Sequence, residues 1–455
     1  MQGQSLAPNL RMLRAYHPTF TSDCGFAIFS TLLSPRTDNL DIVCNGPVKY
    51  TQQIPDSIHS LPSPVPNLVF LRIGFDISWS GNEDSELTVA KLTSICPQLY
   101  PVIARFNRLK TIFLPTLCAS VELFTSLQTL FYLRLLYVMD VGDTCEYYDE
   151  RIHSDAISEY PAGNTDGPFP ALRCLVIEGW DSLIRQIFET SFPFGHHLNT
   201  LAMVVSEREH TNFDGICLSE SSKIISKRFP LLQHLHINTH LHNSPRMTDT
   251  SLRLFSTCVG LRELNLNDIS LGDSDLIALS KVCKDLEQLK LADGRMGRSI
   301  CNDGEDDSAR SQTFESVSLE CMETIALNLP KLTRLCITIV ASDLSNLVIS
   351  RHSFKKLTSF ELFCSFVNFD VEGFCEEKAV KHLSILLPPG CTVAFDTEIR
   401  WAFSLEPLIP PSEYRSDYED LSERLTKMIL QFMNVRADER ARLAYLGILR
   451  GENPL

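Results

Sequence analysis

Residues 232–237 read Leu-Gln-His-Leu-His-Ile, residues 261–266 read Leu-Arg-Glu-Leu-Asn-Leu, and residues 286–291 read Leu-Glu-Gln-Leu-Lys-Leu. The copies begin 29 and 25 residues apart. Their common form is L-x-x-L-x-L, where L is any aliphatic or aromatic residue. The last two apolar positions alternate with polar ones, which is the period-2 pattern of a short, half-buried strand. After Leu266 the period changes: Leu276, Leu279 and Val282 fall on one helical face, and Asp273 stands where an N-cap belongs.

Working outward, the same phrase returns at Leu332-Thr-Arg-Leu335-Cys-Ile337, Leu357-Thr-Ser-Phe360-Glu-Leu362 and Val380-Lys-His-Leu383-Ser-Ile385. Upstream it reads Leu68-Val-Phe-Leu71-Arg-Ile73, Leu109-Lys-Thr-Ile112-Phe-Leu114 and Leu130-Phe-Tyr-Leu133-Arg-Leu135. It continues as Leu172-Arg-Cys-Leu175-Val-Ile177 and Leu198-Asn-Thr-Leu201-Ala-Met203, and two shorter copies open the chain at Leu10 and Leu40. Leucine accounts for 63 of the 455 residues, and these copies show where many of them go.

A short strand plus a helix, repeated with this phrase, is the unit of a leucine-rich repeat. One unit cannot bury its apolar face alone, so units stack on a shared core. The expected fold is therefore α/β: a leucine-rich-repeat solenoid, or horseshoe, of about thirteen irregular repeats over residues 1–396. Residues 397–455 read as a C-terminal helical cap: residues 416–434 carry Leu421, Leu425, Met428 and Phe432 on one face, and a shorter helix carries Leu443, Leu446 and Leu449. The window Thr248–Leu291 resembles the cysteine-containing class of these repeats, in which a cysteine closes the helix before the next strand. That resemblance implies buried roles for Cys258 and Cys283.

Composition narrows the function. The formal net charge is -15, which argues against a generic nucleic-acid binder. The first ten residues contain no apolar run of signal-peptide length. The most apolar run, Leu127 to Val141, is short for a membrane span and is broken by Arg134. The 15 cysteines are scattered and form no C-x-x-C pair, so they read as buried thiols. An intracellular protein, cytoplasmic or nuclear, without membrane contact is expected.

Enzyme signatures are missing. No phosphate loop, dinucleotide fingerprint or nucleophile elbow occurs. His234, His236, His240 and His242 could supply two same-face zinc ligands on a strand, but no carboxylate accompanies them at ligand spacing. The acidic run Asn302–Ser308 lacks the alternating ligands of a calcium loop and reads as a surface insertion. No catalytic residue, metal or cofactor is expected, and a histidine-metal hydrolase is the remote alternative.

The order of the chain resembles fungal F-box/leucine-rich-repeat proteins. The resemblance rests on Ala7-Pro-Asn-Leu-Arg-Met-Leu13, on Phe29-Ser-Thr-Leu-Leu-Ser-Pro35 and on Asn39-Leu40-Asp-Ile42, with the irregular repeats and the acidic tail in support. It implies a non-catalytic module that holds a protein for ubiquitination by an SCF-type ligase. In that family an N-terminal helical unit beginning Leu-Pro-x-Glu docks on the ligase adaptor. Here the first repeat starts at Leu10, and Leu61-Pro62 and Leu387-Pro388 open no such helix, so adaptor docking falls on no residue of this chain. The expectation is an N-terminally truncated or derived form, with the adaptor as a partner only if an F-box lies upstream. A free-standing interaction scaffold is the alternative.

In such a fold the strand residues between the inward apolar positions line the concave face. The expected protein-binding residues are Tyr132, Arg134, Glu178, His234, His236, Asn238, Glu263, Asn265, Asn267, Gln288, Lys290 and Arg334, with Cys174, Val176 and Thr338 beside them. This mixture of both charges and amides suits a protein surface better than a small apolar ligand.

Overall fold

A computed structural model describes, with short gaps, residues 7–15, 28–44, 67–75, 96–139, 167–206, 218–240, 255–292, 317–340, 352–365 and 382–396. Among the described residues thirteen strands form one sheet, with strand order following chain order. They are β1 (Met12–Ala15), β2 (Asn39–Cys44), β3 (Phe70–Phe75), β4 (Thr111–Leu114), β5 (Leu135–Val138), β6 (Cys174–Gly179) and β7 (Thr200–Ser206). They continue as β8 (His234–His240), β9 (Glu263–Asn267), β10 (Gln288–Ala292), β11 (Arg334–Val340), β12 (Ser359–Ser365) and β13 (Thr392–Asp396). The strands run parallel, as strands joined by crossover connections must. This is the leucine-rich-repeat-like α/β solenoid that the periodicity predicts.

The chain divides into two compact units, one of residues 1–210 with 224–234 and one of residues 211–223 with 235–455. In the first, register lines up Leu13, Leu40, Leu71, Ile112, Leu136, Leu175 and Leu201 as one row across β1–β7. Every member of that row is buried. In the second, Leu264, Leu289, Leu335, Phe360 and Val393 form the corresponding row across β9–β13. These rows are the repeated second leucine of the phrase. Their burial supplies the apolar area that holds each short strand in place.

A turn leads into each strand, and its hydrogen bond recurs. The first leucine of the phrase donates its N–H to the carbonyl three residues earlier: Leu109 to Phe106 at 3.0 Å, Leu172 to Phe169 at 3.2 Å, and Leu232 to Phe229 at 3.2 Å. In the second unit Leu261 donates to Cys258 at 3.2 Å, and Leu286 to Cys283 at 3.1 Å. Cys258 and Cys283 are buried, as the resemblance to cysteine-containing repeats implies. In these five turns the acceptor residue is apolar, so the repeat signature there begins three residues before the first leucine.

Strand pairing corrects the expected frame at three places. In β2, Leu40 pairs with Leu13 and Leu71, so it is the second leucine of its phrase, and buried Thr37 takes the first position. In β5, Leu136 pairs with Ile112 and Leu175. The phrase there is Leu133-Arg-Leu-Leu136-Tyr-Val138, three residues later than the expected Leu130 frame. Leu130 instead accepts the turn bond from Leu133 at 3.2 Å. The region is leucine-rich enough to satisfy the pattern in both frames. The expected copy at Val380–Ile385 is not a strand, because residues 382–386 are helical. The thirteenth strand lies at Thr392–Asp396, where Gly390, with a φ of +83°, occupies the first leucine's place.

Helices between the strands include α1 (Val121–Leu127), α2 (Asp181–Ser191), α3 (Leu218–Arg228), α4 (Asp273–Val282) and α5 (Met322–Asn328). The Ser120 hydroxyl caps α1 by accepting from the Leu123 N–H at 3.1 Å. Residue 272, not Asp273, is the N-cap of α4: the Gly272 N–H donates to the Asp275 carboxylate at 3.1 Å. Asp273 instead accepts from the Ser318 N–H at 2.7 Å and the Ser318 hydroxyl at 2.6 Å. In the first unit the helices and turns share an aromatic core. Phe169 stacks on Phe192 with centroids 5.2 Å apart, and Phe188 meets Phe229 edge-on at 5.2 Å. Phe169 holds a φ of +52°, a left-handed conformation uncommon for a residue with a bulky side chain.

The expected C-terminal cap at 397–455, the acidic run 302–308 and His242 lie outside the described residues.

Candidate binding face

Gly179 shows which side of the strands faces the helices. A Cβ built there would lie 3.7 Å from Leu183 Cδ2 and 3.8 Å from Ile184 Cγ1, both on α2. Leu175, Ile177 and Gly179 share one side of β6, so that side packs on the helix. Cys174, Val176 and Glu178 therefore point to the other side, as the alternation predicts.

In the second unit this other side is polar. The His236 Nε2 lies 3.5 Å from Glu263 Oε1, and the Asn265 Nδ2 lies 3.4 Å from His236 Nδ1. Register then sets Glu263 beside Gln288, Asn265 beside Lys290 and Asn267 beside Ala292. Gln288 in turn pairs with Arg334. The Arg334 guanidinium bonds the Glu361 carboxylate at 3.0 Å, which adds to the row a residue absent from the sequence-based set. Nine of the twelve expected residues thus fall on this side of β8–β11, with His234 in the first unit and the other eight in the second. His236 and Asn238 are buried, Lys290 and Arg334 are exposed, and the rest are half-buried. The side-chain oxygens of Asn265 and Asn267 are buried and accept no hydrogen bond among the described residues.

The first unit differs. Glu178 sits on the expected side of β6, where it accepts a 2.7 Å hydrogen bond from the Thr116 hydroxyl. Its neighbours are apolar: Phe113, Leu135, Tyr137, Met139, Cys174, Val176 and Ala202 form one buried cluster, with Phe70 packed against it. Phe113 stacks on Tyr137 with centroids 4.3 Å apart. Toward the first strands the same side becomes charged: Asp41 lies 3.9 Å from both Arg14 and Arg72, its partners in register.

Tyr132 and Arg134 are not on this side. The β5 frame shift places both in the turn before the strand, where Tyr132 is 58% exposed, and Leu135 and Tyr137 take the strand positions. The signal that would have found this is the apolar residue three before the first leucine. Phe106, Phe169 and Phe229 mark it clearly, whereas Leu130 hides it among other leucines.

The chemistry available here is recognition by hydrogen bonds and charge. Among the described residues no group of three His, Cys, Asp or Glu side chains could hold a metal ion. Eight cysteines, Cys96, Cys118, Cys174, Cys258, Cys283, Cys321, Cys336 and Cys391, are buried. Burial pushes the thiols of Cys174, Cys258 and Cys283 up to about 12, far from a reactive thiolate. Among the described residues no helix is long and apolar enough to cross a membrane. No protein-family model matches the chain, and no curated protein matches it either.

Proposed function

We propose that the chain is a non-catalytic protein-binding module whose partner docks on the polar side of β8–β12. The observation that carries this reading is the row His236, Glu263, Asn265, Lys290, Arg334 and Glu361. It combines both charges and amides. A row of this kind fits a polypeptide surface. The partner is not a nucleic acid, the site of action is inside the cell, and no cofactor takes part.

The resemblance of the repeats and of residues 7–13, 29–35 and 39–42 to F-box/leucine-rich-repeat proteins supports a finer reading. In it the bound protein is a substrate for ubiquitination, with the ligase adaptor as a partner only if an F-box lies upstream. The test places a photo-crosslinking amino acid at Asn265 and, separately, at Leu327, which is exposed on α5. Discrete crosslinked partners at position 265 and none at 327 are expected. Equal labelling from both positions defeats the docking face. Failure of a chain extended through an upstream Leu-Pro-x-Glu helix to capture the adaptor defeats the ligase link alone.

A further inference from the structure

The turns before β4, β5 and β6 carry five basic residues, Arg105, Arg108, Lys110, Arg134 and Arg173. No acidic residue lies in residues 105–111, 128–135 or 168–174, although the whole chain has a net charge of -15. The fold puts three of the five in one column. The Lys110 N–H donates to the Val69 carbonyl at 2.8 Å, Arg134 to Lys110 at 2.8 Å, and Arg173 to Arg134 at 2.9 Å. The column then ends, because the next donor in line is Asn199, bonded to Arg173 at 2.9 Å. The middle turn also carries Phe131 and Tyr132, which are 66% and 58% exposed.

We propose that this column of Lys110, Arg134 and Arg173, with Phe131 and Tyr132 beside it, is a docking site for an acidic polypeptide segment. The proposal rests on the protein-binding reading above and names a partner chemistry for a second place on the molecule. Backbone bonding holds these three residues in adjacent repeats at the inter-strand spacing of about 4.8 Å, so their backbones span about 10 Å. An extended peptide repeats its same-side residues every ~7 Å, so two carboxylates at alternate positions fit within the column. The exposed rings give an apolar residue between those carboxylates something to pack on. Like charges stacked in this way repel. Burial and the neighbouring Arg134 charge both hold the Arg173 guanidinium below its ordinary value, and a bound anion relieves that repulsion. A nucleic acid fits less well. Proteins that bind single strands track the backbone along an extended basic groove, and here the column stops at Val69 on one side and Asn199 on the other.

The experiment uses the full chain and fluorescein-labelled hexaglutamate, followed by anisotropy across a salt series, with an oligouridylate as a second probe. Saturable hexaglutamate binding that weakens with salt is expected. A Lys110→Gln/Arg134→Gln/Arg173→Gln variant is expected to lose about tenfold in affinity while its melting curve is unchanged. A Lys355→Gln/Lys356→Gln control should bind as the parent does. The single variant Lys110→Gln, at an exposed position, gives the same direction should the triple variant fail to fold. No saturable binding by the parent overturns the proposal. So does a folded triple variant, or a Lys110→Gln variant standing in for it, that binds like the parent, a control that loses as much as the variant, or tighter binding of the oligouridylate. The Asn265 crosslink is read separately, so its persistence would leave the strand face standing if the column fails.

Discussion

The His196 ring places its Nε2 3.2 Å from the Phe169 carbonyl and sits edge-on to Phe192 at 5.2 Å, while its Nδ1 is buried without a hydrogen-bond partner among the described residues. The Nε2 therefore carries the proton, and the ring is neutral. Burial is the main cause that lowers its pKa from 6.5 to about 4. Below pH 6.5 the unfolded chain binds a proton here that the folded chain refuses. Stability from this site is complete above about pH 6.5 and is lost as pH falls toward 4. The loss amounts to at most ~3 kcal/mol. Urea unfolding at pH 7 and pH 5 should show a smaller stability drop for His196→Gln than for the parent. An equal drop would remove His196 from the account.

The frame of β5 gives a sharper comparison. Tyr137 is 2% exposed and stacks on Phe113, whereas Tyr132 is 58% exposed in the preceding turn. Tyr137→Ala is expected to cost ~3–5 kcal/mol, and Tyr132→Ala less than about 0.5 kcal/mol. Chemical denaturation of the two variants measures both. Comparable losses would restore the earlier frame, with Tyr132 on the strand.

Two glycines separate a backbone requirement from a packing one. Gly390 has a φ of +83° and open space around it, so only its conformation opposes a side chain. Gly390→Ala should destabilise by about 1–2 kcal/mol. Gly179 needs no left-handed φ, and its new Cβ would make ordinary contacts with Leu183 and Ile184. Gly179→Ala should be neutral or slightly stabilising, by up to ~1 kcal/mol. Thermal melts of the two variants check the contrast.

The buried thiols make a chemical prediction. Cys258 and Cys283 close their turns at 3% and 5% exposure, and burial holds both thiols at about 12. Native protein at pH 8 should leave both unmodified by iodoacetamide, and denatured protein should alkylate both. Peptide mass mapping reads the outcome. Rapid native labelling of either would contradict their role as buried anchors.

The repeat itself was legible in the primary structure because a strand buried on one side must alternate. Every stacked unit must also present the same apolar pair to the common core. Leu264 and Leu266, or Leu175 and Ile177, could hardly be read otherwise. The polar row from His236 to Arg334 followed from the same alternation. What composition and spacing left open was the frame wherever leucines crowd. Leu130, Leu133 and Leu136 are three apart, so the phrase fits twice, and only pairing of Leu136 with Ile112 and Leu175 selects one fit. Where Gly390 replaces a leucine the phrase disappears, and the strand forms because its neighbour β12 supplies the register. Contacts between residues far apart in the chain decided those points. They also decided that Lys110, Arg134 and Arg173, 24 and 39 residues apart, stand in one column. Local pattern carries the period of a stacked fold, but phase and lateral neighbours are set by pairing between strands, which no single repeat contains.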